Sequence, residues 1–362
     1  MKRIPNVLAS SLENLYLVGG AVRDLMLGLE PKEYDLITTT PLEKISLKTF
    51  VESNNGQTVG VYLKGKKYDI SYYSSLMEDL ERRDFTINSM ALPVKKDGML
   101  SAEELVDPCG GLNDLKAGIL KSFKPHESFL SDPVRVVRGL RFISEYNFNV
   151  EHDTMQAMKN VVESINKKTA RERIFPPLKK FIEGPYFRKG AKVALEINFD
   201  KFFSIPLENA SMIASLKPYC RWPALFRKKR ACFNKFVDEV FPPKRLIRWT
   251  NRLVGFLEEL EWTKFEWTVK ITESEVECLI SILKLFNLNS DLVERYMHLK
   301  LAVTPQDIIS IGAKGREISM IMIEVWKKVL TSKVSNKRNN LLKLARETLK
   351  SLQSKHTAMK HR

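Results

Sequence analysis

Apolar and polar positions alternate over short stretches in the first quarter of the chain and switch to a helical period later. Residues 15–18 (LYLV) form an apolar run ending in Gly19 and Gly20, which predicts a short strand turning into a helix over Ala21–Leu27, closed by Gly28. The patterns of Tyr34–Thr38, Val59–Leu63 and Lys67–Tyr73 predict three further strands, the last two joined by a hairpin at Lys64, Gly65 and Lys66. Beyond about residue 125 the period changes. Across Pro133–Tyr146, Val134, Val137, Leu140 and Phe142 recur at helical spacing with arginines between them. Thr169 and Glu172 have the spacing of a capping box, and Pro176-Pro177 just behind them breaks or restarts that helix. Glu183-Gly184-Pro185 marks a boundary. The expected fold is α+β: a small mixed-sheet head over 1–122, an all-α neck over 123–185, and a helical body with a basic tail over 186–362.

Charge narrows the range of partners. The 362 residues carry 59 Lys and Arg against 43 Asp and Glu, a formal charge of +16, which favours a polyanion: nucleic acid or an anionic membrane surface. No apolar run approaches the length of a membrane span, and Pro5, Asn6, Glu13 and Asn14 interrupt the stretch a signal peptide would need, so the expected location is the cytoplasm. Cys109, Cys220, Cys232 and Cys278 are never spaced as CxxC. Reduced thiols are expected, with neither a zinc knuckle nor a disulfide framework. The five histidines all lie at or beyond His126, so chemistry in the first 125 residues rests on carboxylates.

The candidate chemistry lies between Leu17 and Asp69. Adjacent Gly19 and Gly20 at a strand-to-helix junction let backbone N–H groups approach an anion, which makes a triphosphate cradle. Glu33 and Asp35, one residue apart on a predicted strand, point to the same face, and such a pair attracts a hard divalent cation, Mg²⁺, together with substrate phosphates. The same pattern also describes a solvated strand face. Asp69 on the later strand brings a third carboxylate to the spot, a set able to activate a 3′-hydroxyl and stabilise departing pyrophosphate.

Residues 17–39 (LVGGAVRDLMLGLEPKEYDLITT), with Arg23 among them, resemble the first motif of the class II tRNA nucleotidyltransferase and bacterial poly(A) polymerase family, part of the polymerase-β-like superfamily. In that motif the catalytic pair is Asp-x-Asp; here Glu33 occupies the first place and Asp35 the second. Arg82–Ala91 is similar to the second motif, which implies nucleotide contacts from Arg82, Arg83, Asp84 and Asn88. Residues 107–115 are similar to a turn linking head and neck, and 169–174 to a neck motif. Asp132 and Arg135 match the nucleotide-choosing motif Glu-Asp-x-x-Arg, with Ser131 in place of its Glu; Arg138 and Arg141 follow. On one helix face an Asp acceptor and an Arg fork three residues apart can read the Watson–Crick edge of a base. An ordinary helix-start ion pair has the same spacing.

The resemblance covers about residues 15–185 and implies a template-independent enzyme that adds CMP, and AMP, from CTP and ATP to the 3′ end of tRNA. Only twelve residues separate Asp69 from Arg82, where fuller members of the family carry a longer flexible loop; loss of that loop goes with adding the two cytidines without the terminal adenosine. The alternatives are a bacterial-type poly(A) polymerase and a catalytically weakened RNA-binding relative. RNA phosphates are expected on Arg227, Lys228, Lys229, Arg230, Lys244 and Arg245, and on the tail from Lys333, with Trp222 and Trp249 for stacking. Phe199, Phe202 and Phe203 are expected in the core.

Overall fold

The computed structural model describes residues 3–41, 50–51, 58–165, 169–258, 272–330 and 332–360. They form two compact units, Met1–Leu207 with Asp238–Phe241 and Glu208–Val237 with Pro242–Arg362. The turn at Glu183-Gly184-Pro185 lies inside the first unit.

The first unit begins with a six-stranded mixed sheet. Its strands are β1 (Tyr16–Val18), β2 (Tyr34–Thr38), β3 (Phe50–Val51), β4 (Thr58–Leu63), β5 (Lys66–Tyr72) and β6 (Ala91–Pro93), in the order β3-β4-β5-β2-β1-β6. Every neighbouring pair is antiparallel except β2 and β5. Lys64 and Gly65, both at positive φ, make the two-residue turn of the β4–β5 hairpin, whose twist suits the flanking strands. Helices α1 (Asn6–Ser11), α2 (Gly20–Met26) and α3 (Leu76–Glu81) accompany the sheet, and α4 (Gly111–Ala117), α5 (Pro125–Ser131), α6 (Val134–Tyr146) and α7 (His152–Val161) follow. The helix α6 buries Val134, Val137, Leu140 and Phe142 as its periodicity requires. Phe85, next to the sheet, packs edge-on against Phe142 of α6 and Phe129 of α5, at centroid distances of 5.6 and 6.0 Å. Phe199 and Phe203 are fully buried and Phe202 partly so.

Pro176 and Pro177 restart a helix, as expected, in the first turn of Phe175–Glu183, where the missing N–H groups cost nothing. That start leaves the capping box at Thr169 unformed. Residues Arg171–Arg173 make a 3₁₀ turn behind Ala170, and the buried Thr169 hydroxyl caps nothing. Capping boxes do occur at Thr272 with Glu275 and at Thr304 with Asp307.

The second unit is helical among its described residues. Trp222, expected to stack on RNA, is instead fully buried beside Phe226, Phe233 and Phe236. Cys220 and Cys278 form a disulfide with a Cα–Cα distance of 5.4 Å, against the expectation of four thiols; Cys109 and Cys232 are free. The 58-residue separation hides that pairing from any local spacing rule. Helices Arg316–Leu330 and Arg338–Lys360 bury Ile321, Val325, Leu341, Ala345 and Leu349 together, so much of the basic tail is a packed helix. Residues 361–362 of the tail lie outside the described residues. No described helix is long and apolar enough to cross a membrane.

Candidate active-site cleft

A cleft of about 820 Å³ opens in the first unit, lined from β2, α2, α6, residues 79–88 and the helix Phe175–Glu183. Its floor holds the carboxylates. Asp35 on β2 is the register partner of Asp69 on β5, which places both on one face of the sheet. Glu33 also lines the cleft but stands in a bend one residue before β2, not on the strand, because the ladder begins at Tyr34 opposite Tyr68. Asp69 meets Asp35, Tyr73 and Arg83 around a smaller adjoining cavity of about 310 Å³ and is paired with Lys67 at 3.1 Å.

Asp35 keeps its own surface open to water while the cleft walls displace much of the surrounding solvent. That burial raises its pKa; Arg83 opposes the rise, the negative charges of Asp69 and Glu33 add to it, and Arg138 opposes it again. Among the described residues no three of His, Cys, Asp and Glu converge as a ready metal cage. The donor set still fits a divalent cation. Glu33 and Asp35 line the cleft with no ion-pair partner among the described residues, and Arg83 and Arg138 only partly offset the charge at Asp35, so a hard ion completed by substrate phosphates suits these oxygens.

The glycine pair works differently from a simple cradle. Gly19 has φ +70°, its N–H is committed to the Met90 carbonyl at 3.2 Å, and an added Cβ would lie 2.4 Å from Arg83 Nη1. Gly20, not Gly19, lines the cleft. Arg23 is buried and saturated: Nη1 donates to Asn88 Oδ1 at 2.7 Å, Nη2 to Asp24 Oδ1 at 2.7 Å and to Tyr146 Oη at 3.1 Å, with the guanidinium over the Tyr146 ring. It fastens α2 to α6 along the edge of the cleft.

Most other charged groups of the cleft are also paired. Arg83 donates to Asp79 at 2.8 Å, Arg138 pairs with Asp84 at 2.7 Å, and Arg141 with Glu145 at 2.6 Å. Asp84 further accepts from Asn88 Nδ2 and the Phe85 N–H, both at 2.9 Å. Burial alone would push the Asp84 carboxyl up, but Arg138, Asn88, Arg135 and the Phe85 amide together hold it below the ordinary aspartate value. Asp132 and Arg135 both line the cleft without sharing a helix face: Pro133 starts α6, and Asp132 caps the end of α5. Asp132 accepts from Arg173 at 2.6 Å, and Arg135 Nη1 donates to Ser128 Oγ at 2.5 Å. Arg82 is exposed at the rim.

The sequence reading missed Lys32, Tyr73, Glu145, Tyr146 and Lys180 as cleft residues. Glu145 and Tyr146 lie four residues beyond Arg141 and Phe142, a spacing that would have found them. Lys180 had no local signal.

The basic residues of the second unit divide. Arg227 lies over the Phe286 ring at 4.0 Å, Lys229 pairs with Glu208, and Arg230 donates to Asn251 at 3.0 Å, so these are structurally engaged. Lys228 adjoins them at positive φ. Lys244 and Arg245 are exposed at the start of the helix Lys244–Glu258, where Arg245, Arg248, Trp249 and Arg252 line a cleft of about 730 Å³.

A family model described as the Poly A polymerase head domain matches residues 15–73 and 60–121. The chain is 33% identical over 215 residues to a CC-adding tRNA nucleotidyltransferase of Halalkalibacterium halodurans, a match covering 58% of this chain and 55% of that one. It is 35% identical over 197 residues to a CCA-adding enzyme of Streptococcus agalactiae, covering 48% and 47%. At these identities the chain spans about half the length of the relatives it matches. A Staphylococcus haemolyticus CCA-adding enzyme matches at 27% over 92% of this chain and 94% of its own. Among solved structures, the Thermotoga maritima CCA-adding enzyme complexed with tRNA superposes with a TM-score of 0.67 at 23% identity, covering 96% of this chain and 94% of that one. A CCA-adding enzyme in complex with CTP gives 0.69 at 23%, with the same coverage.

Proposed function

We propose that the chain is a member of the class II tRNA nucleotidyltransferase and bacterial poly(A) polymerase family that adds CMP from CTP to the 3′ end of tRNA without a template, releasing pyrophosphate. The observation that carries this reading is the floor of the cleft, where Glu33 and Asp35 have no ion-pair partner among the described residues while nearly every other carboxylate around them has one. Membership of this family generally implies a divalent metal. Glu33 and Asp35 would hold Mg²⁺, which supplies activation of the primer 3′-hydroxyl and neutralises phosphate charge. Asp69 sets the charge at Asp35 from the neighbouring strand. Arg82 and Arg83 bind phosphates at the rim, while Asp84 and Asn88 act through the guanidiniums they hold, those of Arg138 and Arg23. Asp132 and Arg135 offer an acceptor and a donor fork to the base edge. The exposed Lys244, Arg245 and Arg248 with Trp249 suit tRNA, and the site of action is the cytoplasm.

The link between Asp69 and Arg82 favours a product of two cytidines. β5 runs to Tyr72 and α3 begins at Leu76 behind a Ser75 cap, so Tyr73, Ser74 and Ser75 alone connect them. No chain is left there for a flexible loop. Purified protein incubated with tRNA ending at the discriminator base should extend it by two residues with CTP and stop when ATP is also present. An efficient third addition overturns the CC-only product, and a ladder of adenosines on general RNA points to poly(A) synthesis. RNA binding without incorporation overturns the enzyme reading.

A further inference from the structure

Once the ion pairs of the cleft are removed, its lining cations without a carboxylate partner, among the described residues, are Lys32, Arg82, Arg135 and Lys180. Lys180 is the one contributed by the helix Phe175–Glu183. That helix buries Phe175, Leu178, Phe181 and Ile182 on its inner face, which fixes the direction of the lysine. Its neighbour Lys179 is tied to Glu183 on the same helix and does not line the cleft. The charges acting on Lys180 are Arg141, Glu145, Glu33 and Lys32, and the first two neutralise each other as a pair at 2.6 Å. Burial in the cleft wall, with Arg141 and Lys32, holds the Lys180 pKa below the ordinary lysine value, and Glu145 and Glu33 oppose that shift. Lys180 and Glu33, neither in an ion pair among the described residues, thus line one cleft whose volume suits a nucleotide.

We propose that Lys180 is a binding residue for the polyphosphate of the incoming nucleotide, holding its β- and γ-phosphates from the helix Phe175–Glu183. The inference rests on the nucleotidyl-transfer reading of the site. In the step it serves, the primer 3′-oxygen bonds to the α-phosphorus, the α–β anhydride bond breaks, and pyrophosphate departs with the electron pair while the hydroxyl proton passes to solvent. Lys180 supplies charge to the departing anion and exchanges no proton. As a compact ammonium on a flexible stem it can follow that anion as it leaves.

Calorimetric binding of inorganic tripolyphosphate in Mg²⁺ buffer to the full chain tests this without needing turnover. Lys180→Met should raise the Kd about tenfold, the size of one lost charge-assisted hydrogen bond, and flatten its salt dependence; Lys180→Arg should restore most of the affinity. Lys179→Met should match the parent, and cytidine, which has no phosphate, should bind both lysine variants equally. In the extension assay the KM for CTP should rise with Lys180→Met. Unchanged tripolyphosphate binding, or equal weakening of cytidine and tripolyphosphate, overturns the proposal. A parent protein that binds tripolyphosphate through Lys180 yet never extends tRNA would sink the transferase reading and leave the anion site standing.

Discussion

Asp35 and Asp69 are register partners across the one parallel strand pair of the sheet, so two carboxylates stand side by side on a single face. Lys67 takes up Asp69 at 3.1 Å, while Asp35 has no ion-pair partner among the described residues, Arg83 offsetting only part of the effect of Asp69 and Glu33. Burial and the neighbouring carboxylates push the Asp35 pKa up, the kind of perturbation that clusters at functional sites.

Replacing Asp35 by Asn should abolish nucleotide incorporation, by about a thousandfold or more, because the metal loses an anionic ligand. The same change should raise Tm. A carboxyl whose folded pKa is raised contributes stability only while protonated, and that contribution is lost as pH rises through the folded value, so at neutral pH the ionised group opposes folding. Thermal melts at pH 7 of the parent and Asp35→Asn check the sign; a lower Tm in the variant would mean a favourable partner holds the carboxylate.

Asp84 has the opposite linkage. Its folded pKa lies below the ordinary aspartate value, so its contribution is full above about pH 4 and is lost as pH falls through the lower folded value. Asp84→Ala should cost about 3 kcal/mol at pH 7, since Asn88, the Phe85 amide and Arg138 all lose a partner. The gap between parent and variant should close in acid. Urea titrations at pH 7 and pH 3 measure it, and a gap that widens in acid would contradict the assignment.

The elements that the sequence revealed are those whose cause is local. Alternation placed β2, β4 and β5, glycine punctuation placed α2, and the 3.6-residue period placed α6. What the sequence hid depends on partners far away in the chain. The pairing of Arg138 with Asp84 and of Arg23 with Asn88 ties together residues that all line the cleft, and neither pair has a spacing rule. Pro133 and Pro176 moved helix starts by a residue or two, which removed Asp132 from its helix and Thr169 from its cap. Trp222 looked available because basic residues surround it in sequence, yet a large aromatic is worth more in a core than a neighbouring charge is in keeping it out.

Gly19→Ala should lower both stability and nucleotide affinity. The new Cβ would sit 2.4 Å from Arg83 Nη1 at a φ of +70°, so strain of about 1–3 kcal/mol and displacement of Arg83 from Asp79 come together. Gly20→Ala, with ordinary backbone and nothing nearer than 3.5 Å, should lose little stability. Denaturant melts of the two variants separate these effects, and equal losses would show that glycine flexibility, not the Arg83 approach, is what the junction needs.

The helix Arg338–Lys360 separates packing from charge. Leu341, Ala345 and Leu349 lie in a core with Ile321 and Val325, whereas Lys343, Arg346 and Lys350 face outward. Deleting the tail would therefore confound RNA binding with loss of a core. Leu341→Ala alone should cost about 2–4 kcal/mol. A triple change of Lys343, Arg346 and Lys350 to Ala should leave Tm nearly unchanged, weaken tRNA binding, and reduce the slope of log affinity against log salt by up to about 2–3, because each lost phosphate contact removes roughly 0.7–0.9 of slope. An unchanged slope with intact folding would assign the tRNA contact elsewhere, to the Arg245, Arg248 and Trp249 face.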